Sequence, residues 1–586
     1  MYSGESVHGL HGIDAGIFCA YFVVLVAVGF WAGRGRKRTS EDYFLAGRGL
    51  PWYVVGASFV GSNISTEHFI GMVGTAYVYG ICVAQWEWGN IFAFSVLVWV
   101  FIPFLLSSRV FTAPEFLERR FNSTCRLFFA VLTVVANVTA FLAAVLYAAA
   151  LGLQAMFDWP EAVTIGLGGG SFEVPTIVLG VVAMGVIAGS YAIYGGLRSV
   201  AWTDVFQVVV MVAGGILVTF FGLHFLGGGE GIAAGWRTMM ARNLGQGDAW
   251  AKAISEAAPK LVGQASYNRL RVFQPISHKL MPWPAVLFGW LSVSIWYNCI
   301  NQFMIQRVLA AKNEWHARMG IVFAGFMKVF LPLIVVIPGL IYFAMDPSLT
   351  EAQEIDQVYA VMVMKLLHAG LRGLLLAALF GAIQSTIDSV LNSTSTIITL
   401  DIYRKFIRPD CPEERMVRIG RWASAIVLLI AMVMAPFIEV LGKGVFQYIQ
   451  NLYAYFAPPF AAVFLLGVLW RRANAKAATV TIPAGIAFGF FLQFVVFKRW
   501  LNPDTPFTIR AILNWGFCVV LIVAVSLFTK APPPEKTTDE VTINWRTLGI
   551  FKGLGKPWYR SILLWYALFI LGILACYTIF SGLFLR

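Results

Sequence analysis

Residues 54–74 read VVGASFVGSNISTEHFIGMVG, an apolar stretch that carries an unusual number of small and polar residues. It is long enough for a helix that crosses a membrane, but Gly61, Ser62 and Asn63 crowd its middle. A membrane helix of this composition is a candidate for unwinding, which frees carbonyls to bind an ion or a solute. The alternative is that the small residues let two helices pack closely. The Asn, Glu and His side chains of the stretch favour a binding site.

The same apolar character extends over the whole chain of 586 residues, of which 59% are hydrophobic and only 12% charged. A soluble domain carries about 25% charged residues. The apolar runs are continuous rather than alternating, which predicts helices and not a membrane barrel. The net charge of +13 comes from basic residues in predicted short loops and requires no nucleic-acid partner. The sequence therefore predicts an all-α polytopic membrane protein.

The apolar runs predict about fourteen transmembrane helices, near residues 14–33, 52–77, 80–106, 124–153, 174–195, 199–226, 282–305, 318–345, 358–400, 415–437, 446–470, 477–497, 507–529 and 561–583. Basic residues follow every odd-numbered helix, among them Arg34, Arg120, Arg307, Arg318 and Arg471. This asymmetry predicts a multi-pass protein of the plasma (inner) membrane with both termini outside. Residues 227–281 are expected to form an external loop with short helices, and residues 530–560 a cytoplasmic linker.

Ionisable side chains inside the predicted helices mark candidate sites, because a charge in the bilayer is costly. Five ionisable residues lie well within the helices, namely His68, Glu87, Asp204, Lys328 and Asp388. Gln450 adds an uncharged amide to this set. A lone lysine among several carboxylates can also form a purely structural ion pair. The spread of these residues over several helices favours a functional role for the set as a whole.

The ninth predicted helix holds the densest run of hydroxyls, between Ser385 and Thr396. Ala382, Ser385 and Thr386 share one face of this helix, because a helix has about 3.6 residues per turn. A hard cation such as Na⁺ prefers several oxygen ligands, which two adjacent hydroxyls and the carbonyls of an unwound neighbour can supply. Hydroxyls that bond back to their own helix are the alternative, and this reading stays open for Ser385 and Thr386.

Several longer motifs carry a family resemblance: SEDYFLAGRGLPW (40–52), GASFVGSNISTEHFIGM (56–72), EW (87–88), YGGLRSVAWTDVFQ (194–207), NQFMIQRVLAAK (301–312) and LNSTSTIITLDIYRKF (391–406). Together they resemble the sodium/solute symporter family, and most closely its sodium–glucose cotransporter branch. The resemblance implies a leucine-transporter-like fold with two inverted repeats of five helices, at residues 52–226 and 282–470. Residues 1–51 would precede the repeats with one extra helix, and residues 471–586 would add further helices.

The resemblance also implies Na⁺ as the coupling ion and a set of ligands for it. The main sodium site would use Gly61, Ile64, Ala382, Ser385 and Thr386. Asp204 falls at the family's acidic position near a second sodium site. Asp388 stands where relatives carry a small or hydroxyl residue. We therefore expect a second cation or proton site at Asp204, Asp388 and Ser389.

The positions similar to the solute-binding residues of the branch are His68, Glu87, Asn90, Ser294, Tyr297, Lys328 and Gln450. Tyr297 also matches the inner gate, and the outer apolar lid would consist of Met72, Trp86 and Phe446. The chemistry agrees, since a polyol needs fixed donors and acceptors beside an apolar surface. Asn298 and Phe141 differ from the residue types that relatives often have, which leaves the exact sugar undetermined.

The predicted function is the Na⁺-coupled import of a hexose or polyol by alternating access. A symporter for another small solute such as inositol is the alternative within this class, and a sugar sensor without coupled uptake is the alternative outside it. An enzyme is disfavoured, because the sequence has no histidine cluster, nucleophile elbow or phosphate loop. The seven cysteines are scattered and indicate neither a zinc site nor a disulfide framework. The expected partners are the sugar, Na⁺ and the bilayer, with no obligate protein partner.

Overall fold

The computed structural model describes residues 11–35, 39–64, 67–157, 159–167, 170–348, 358–441, 445–501 and 505–582. Short turns aside, its helices and strands are α1 Gly12–Ala32, α2 Ser40–Phe44, α3 Trp52–Asn63, α4 Val73–Ser108, α5 Ala113–Arg120, α6 Ser123–Gln154, β1 Ala162–Leu167, β2 Gly170–Pro175, α7 Thr176–Gly195, α8 Leu197–Leu226, α9 Ile232–Asn243, α10 Asp248–Val262, α11 Val286–Ile300, α12 Gln302–Leu309, α13 Glu314–Met345, α14 Val358–Leu366, α15 Leu371–Ile407, α16 Glu413–Ile438, α17 Val445–Leu469, α18 Ala475–Trp500, α19 Phe507–Phe528 and α20 Ile562–Ile579.

Twelve of the described helices are apolar and long enough to cross a membrane, which agrees with a helical polytopic membrane protein. Two of the fourteen predicted helices are not among them. The second prediction corresponds to α3, which has only 12 residues, and the seventh corresponds to the short apolar helix α11. Both fall short because the chain leaves the helical conformation part-way through the apolar run. The count of fourteen and the outside position of both termini stay predictions.

The two interruptions are extended residues inside otherwise helical stretches. Ile64 follows α3 with φ −82° and ψ 118°, and helical structure resumes at Glu67. Asn301 separates α11 from α12 with φ −59° and ψ 128°. The first break lies in the stretch 54–74, where the composition predicts it, whereas the second was not predicted. Paired interruptions of this kind are where membrane transporters bind their ions and solutes.

α15 lies at the centre of the bundle, since 94% of its most apolar stretch is buried. It packs against α1, α3, α8 and α12. At the other extreme, only 17% of the corresponding stretch of α20 is buried, so this helix lies at the edge. The hydroxyls and the carboxylates of Asp388 and Asp401 on α15 therefore face protein and not lipid, which is the arrangement that lowers the cost of polar residues in a membrane helix.

Some features of the connecting segments differ from the sequence-based expectation. β1 and β2 form an antiparallel hairpin, with Ala162 opposite Pro175, which was not predicted. Arg120 and Arg318 were expected in basic loops but are fully buried. Their guanidinium groups donate to carbonyls of the segment 530–560, Arg120 to Lys536 at 3.1 Å and Arg318 to Ile550 at 2.8 Å. These arginines hold the linker against the bundle because burial makes each donor require an acceptor.

The segment 227–281 holds α9 and α10, as expected, and its final part is fastened to α4. The Tyr267 hydroxyl donates to the Tyr79 carbonyl at 2.6 Å and lies 3.1 Å from Nε2 of His278. Nδ1 of His278 accepts from the Met281 amide at 2.8 Å. The ring is thus held neutral, with its proton on Nε2, because its other nitrogen is used as an acceptor.

Acidification should weaken the contacts that His278 and Tyr267 make at α4 and so destabilise the protein. Burial lowers the pKa of His278 from 6.5 to about 4, so the unfolded chain binds more protons than the folded chain between these values. Stability is therefore complete above about pH 6.5 and is lost as the pH falls toward about 4. Between pH 7.5 and 5 we expect a loss of about 2 kcal/mol, seen as a lower thermal midpoint of the purified protein in detergent. His278→Asn keeps an acceptor but does not titrate, so its midpoint should fall less. An equal fall in both proteins would contradict this assignment.

Candidate sodium and substrate site

Four polar side chains form a buried cluster beside the first helix break. Lys328 of α13 donates to the carboxylate of Glu87 and to the amide oxygen of Asn63. The other carboxylate oxygen of Glu87 lies 3.0 Å from Nε2 of His68. Lys328 is 1% exposed and Glu87 is 3% exposed. Their opposite charges and these hydrogen bonds offset the cost of burying each ion alone. The cluster has no net charge when His68 is neutral.

A second polar cluster joins α4 to α11 one helical turn further along. Asn90 follows Glu87 by three residues, so the two clusters lie on the same side of α4. Ser294 Oγ donates to Asn90 Oδ1 at 2.6 Å, and Asn298 Nδ2 donates to the same oxygen at 3.0 Å. The Asn298 oxygen is buried and has no hydrogen-bond partner among the described residues. This wall therefore presents amide and hydroxyl groups, and it includes Asn298, which the sequence singled out as a departure from relatives but which was not among the predicted solute-binding residues.

Aromatic rings surround Tyr297, the predicted inner gate. Its ring centroid lies 5.5 Å from that of Phe303 and 5.8 Å from that of Tyr453. Phe303 in turn stacks on Phe141, with a centroid distance of 6.0 Å. These rings form an apolar group at the junction of α11 and α12. Of the predicted outer lid, Met72 and Trp86 are buried, whereas the side chain of Phe446 lies outside the described residues. The side chain of Gln450, a predicted solute-binding residue, also lies outside them.

Two of the predicted sodium ligands, Gly61 and Ser385, lie close together where α3 crosses α15. A Cβ placed on Gly61 would lie 3.0 Å from Val208 Cγ2 and 3.3 Å from Asp204 Cβ, so the missing side chain lets α3 pack closely on α8, with Ser385 Oγ at 3.4 Å from the same point. Thr386 Oγ1 donates to the Ala382 carbonyl at 3.1 Å. Ser385 Oγ donates at 2.5 Å to a carboxylate from a third helix, that of Asp204. Ile64 is the extended residue that ends α3, three positions after Gly61.

Asp204 anchors a buried network that includes a residue the sequence analysis assigned to a loop. Arg307 of α12 lies 3.3 Å from Asp204 Oδ2 and donates to Ser58 Oγ at 2.7 Å. The same guanidinium donates to Ser389 Oγ. Arg307 is 1% exposed and does not lie in a basic loop. The expectation was wrong because α12 turns back into the bundle after the break at Asn301.

Asp388 lies in the same layer, with its own hydrogen-bond donors. The Tyr191 hydroxyl of α7 donates to Asp388 Oδ2 at 2.6 Å, and Ser389 Oγ lies 3.3 Å from Oδ1. The structure therefore brings Asp204, Asp388 and Ser389 into one layer and adds Arg307 and Tyr191 to it. The sequence carried a signal for Arg307, a basic residue inside the apolar motif 301–312. It carried none for Tyr191, because an aromatic residue in a membrane helix is ordinary.

The comparisons with known proteins agree with this arrangement. A family model described as the sodium:solute symporter family matches residues 43–485. The chain belongs to the sodium:solute symporter family. The symporter is 34% identical over 553 residues to a sodium/glucose cotransporter of Vibrio parahaemolyticus, a match that covers 91% of this chain and 94% of that one. It is 32% identical over 566 residues to a sodium/myo-inositol cotransporter of Canis lupus familiaris, covering 92% of this chain and 76% of that one.

A solved structure shares the symporter's fold. It is a Na⁺-coupled sialic acid symporter in a substrate-bound outward-open state, with a TM-score of 0.70 and 20% sequence identity. The match covers 89% of this chain and 99% of that chain. The symporter is thus a multi-pass membrane protein that couples solute transport to Na⁺, and its family and relatives are transporters rather than enzymes.

Proposed function

We propose that this symporter imports a neutral hexose or polyol together with Na⁺. The observation that carries the proposal is the Glu87–Lys328 ion pair, whose charges cancel inside the polar cluster. An ion pair whose two charges cancel can donate and accept hydrogen bonds without attracting a charged solute. The Asn90–Ser294–Asn298 wall adds further donors and acceptors. This character suits a molecule with many hydroxyls, and it agrees with relatives that are named for glucose and for myo-inositol.

The solute would lie between the two polar clusters. His68, Glu87, Lys328, Asn90 and Ser294 would bind its hydroxyls, with Gln450 proposed from the family resemblance. Tyr297 would close the inner end, and the outer end would be closed by Met72, Trp86 and Phe446. Met72, directly before α4, and Trp86, within α4, are both buried, which supports this assignment of the outer lid.

Sodium would bind at the crossing of α3 and α15. Its ligands would be the carbonyls of Gly61, Ile64 and Ala382 and the hydroxyls of Ser385 and Thr386. Na⁺ prefers such oxygen ligands, and the extended conformation of Ile64 supports the release of carbonyls from α3. Na⁺ would favour the outward-open state by binding it more tightly, and movement of α15 away from α3 would release the ion inward.

The same proposal includes two inverted helix repeats and a second cation site. Residues 52–226 and 282–470 would form two inverted repeats of a leucine-transporter-like core. The interruptions at Ile64 and Asn301, each in the first helix of its half, support this symmetry. A second cation would bind near Asp204, Asp388 and Ser389, where Arg307 already supplies one fixed positive charge.

Uptake in reconstituted vesicles tests the proposal. A panel of radiolabelled hexoses, myo-inositol and charged solutes is offered with an inward Na⁺ gradient or with choline. We expect accumulation of one or more neutral polyols in Na⁺ only. In Ser385→Ala the half-saturating Na⁺ concentration should rise about tenfold, because a ligand to a charged group is lost, while the ranking of solutes stays unchanged.

The matched control lies on the same helix. Ser393 is equally buried, but its hydroxyl bonds back to the Val390 carbonyl at 3.0 Å, so Ser393→Ala should leave the Na⁺ dependence unchanged. Equal accumulation in choline would overturn the proposal and favour a sensor or a leak pathway. Preference for myo-inositol over every hexose would select the second candidate, which its relative at 32% identity supports.

A further inference from the structure

A cavity of about 450 Å³ lies between the end of the segment 227–281 and the start of α11. This volume falls within the range of about 300–1,000 Å³ that sites for small molecules have, whereas one water occupies only about 30 Å³. None of its lining residues belongs to the proposed sodium or solute sites, so the cavity is separate from both. The described residues that line it are Arg271, Phe273, Gln274, Pro275, Trp283 and Leu287.

The cavity lies at one end of the membrane helices. The Val272 amide donates to the carbonyl of Phe580, which directly follows α20, at 2.8 Å. The Phe273 ring stacks on that of Tyr577 in the last turn of α20, with a centroid distance of 5.3 Å. Trp283, just before α11, is 44% exposed. Because aromatic side chains at the ends of membrane helices mark the level of the lipid headgroups, the cavity lies at that level.

Arg271 gives the cavity a positive charge. Its side chain is exposed, and in the described part of the chain it forms no ion pair with a carboxylate. The lining residues that the structure describes include no acid. The turn that carries Arg271 is fixed by Gln274, whose amide nitrogen donates to the Arg271 carbonyl at 2.7 Å. A guanidinium without a carboxylate partner suits a phosphate, which it can bind through two parallel N–H groups.

The cavity adjoins apolar surface that faces the membrane. Leu287 on its wall and the next residue of α11, Phe288, are exposed. On α20, which lies at the edge of the bundle, Leu574 is exposed one turn before Tyr577. Exposed apolar surface beside a polar group marks contact with an amphipathic partner. A ligand of the cavity therefore meets a positive charge at one side and apolar side chains at the other, and a small soluble anion would leave the apolar side uncovered.

We propose that this cavity binds the headgroup of an anionic phospholipid from the leaflet at this end of the bundle. Arg271 pairs with the phosphate, Phe273 and Trp283 border the glycerol region, and the acyl chains lie along Leu287 and the exposed side of α20. A headgroup such as phosphatidylglycerol is favoured over a zwitterionic one, because the described lining residues offer no carboxylate to an ammonium group. The lipid joins the segment 227–281 to α11 and α20, whichever solute the symporter carries.

Thermal stabilisation of the purified, delipidated full chain in detergent tests the site. Dioleoylphosphatidylglycerol, dioleoylphosphatidylcholine and soluble glycerol 3-phosphate are titrated separately. Phosphatidylglycerol should stabilise the wild type saturably, with a half-saturating concentration about tenfold lower than that of phosphatidylcholine, because of one charge-assisted contact. In Arg271→Gln the two lipids should become equivalent, since the charge that distinguishes them is gone. Arg271→Lys should keep a preference for phosphatidylglycerol, because it keeps the charge.

A matched control comes from a second exposed arginine of the same segment. Arg237 of α9 is exposed and is not among the described residues that line the cavity, so Arg237→Gln should keep the preference.

The site is ruled out if the wild type does not distinguish the two lipids, if Arg271→Gln still prefers phosphatidylglycerol, or if both arginine variants lose the preference, which would indicate attraction by the general surface charge. Saturable stabilisation by glycerol 3-phosphate alone would overturn the lipid assignment in favour of a small soluble anion. Because Arg271 is exposed and forms no ion pair in the described structure, Arg271→Gln should fold normally, which its thermal midpoint without lipid checks.

Discussion

Arg307→Met is expected to abolish Na⁺-coupled uptake and to lower the free energy of unfolding by about 3–5 kcal/mol, the usual loss when one partner of a buried ion pair is removed. The guanidinium lies 3.3 Å from Asp204 and donates to Ser58 at 2.7 Å. It also donates to Ser389 and so connects α3, α8, α12 and α15. Without it, the layer holds two carboxylates and no basic side chain from the part of the chain that the structure describes.

The double variant Arg307→Met with Asp204→Asn separates stability from transport. Removing both charges should restore most of the lost stability, because the carboxylate that pairs with Arg307 is neutralised together with it, while uptake stays absent. Arg307→Lys should recover only part of either property, since an ammonium cannot reproduce the planar set of donors. Chemical denaturation or thermal unfolding in detergent gives the stability, and vesicle uptake gives the activity.

An exposed arginine provides the control for Arg307. Arg471 pairs with Asp539 at 2.7 Å, but its side chain is 52% exposed, so solvent screens the interaction and Arg471→Met should change neither property measurably. If Arg307→Met unfolded like the wild type and retained uptake, the buried network would have no part in either stability or coupling.

Lys328→Met is expected to reduce solute uptake by about a hundredfold or more, because the loss of a charge-assisted bond to a buried carboxylate costs about 3 kcal/mol or more. Lys328 donates to Glu87 and Asn63, and Glu87 would be left with His68 alone. The defect should appear in solute binding, because these residues line the proposed solute pocket. The response of thermal stability to Na⁺ should persist, since the ligands at Ser385 and Thr386 are untouched.

Glu87→Gln combined with Lys328→Met completes this test. The double variant removes both charges and should be more stable than Lys328→Met alone, because no unpaired carboxylate is left at position 87. It should remain defective in uptake if the pair binds the solute. Lys365→Met serves as the control, because the Lys365 amine lies 5.4 Å from the Tyr342 ring and contacts no carboxylate among the described residues. Full uptake in the double variant would reduce the Glu87–Lys328 pair to a structural role.

Much of the architecture could be predicted from local sequence properties. Hydropathy and length identify membrane helices, and this works because an apolar run of sufficient length has few stable positions outside the bilayer. The small and polar residues of 54–74 predicted the break that the structure has at Ile64. Glu87 and Lys328 were recognised as candidates because a charge in a membrane helix is rare.

The pairing of these residues was decided by the tertiary structure. Lys328 and Glu87 are 241 positions apart in the chain, and no local pattern indicates that they meet. Arg307 looked like a loop residue because Lys312 and Arg318 follow it, yet the break at Asn301 returns α12 to the interior. The sequence by itself determined that the chain crosses a membrane and where its first helix unwinds, since both follow from short-range composition. Which buried charges neutralise one another depends on how helices pack, because packing joins residues that the chain keeps far apart.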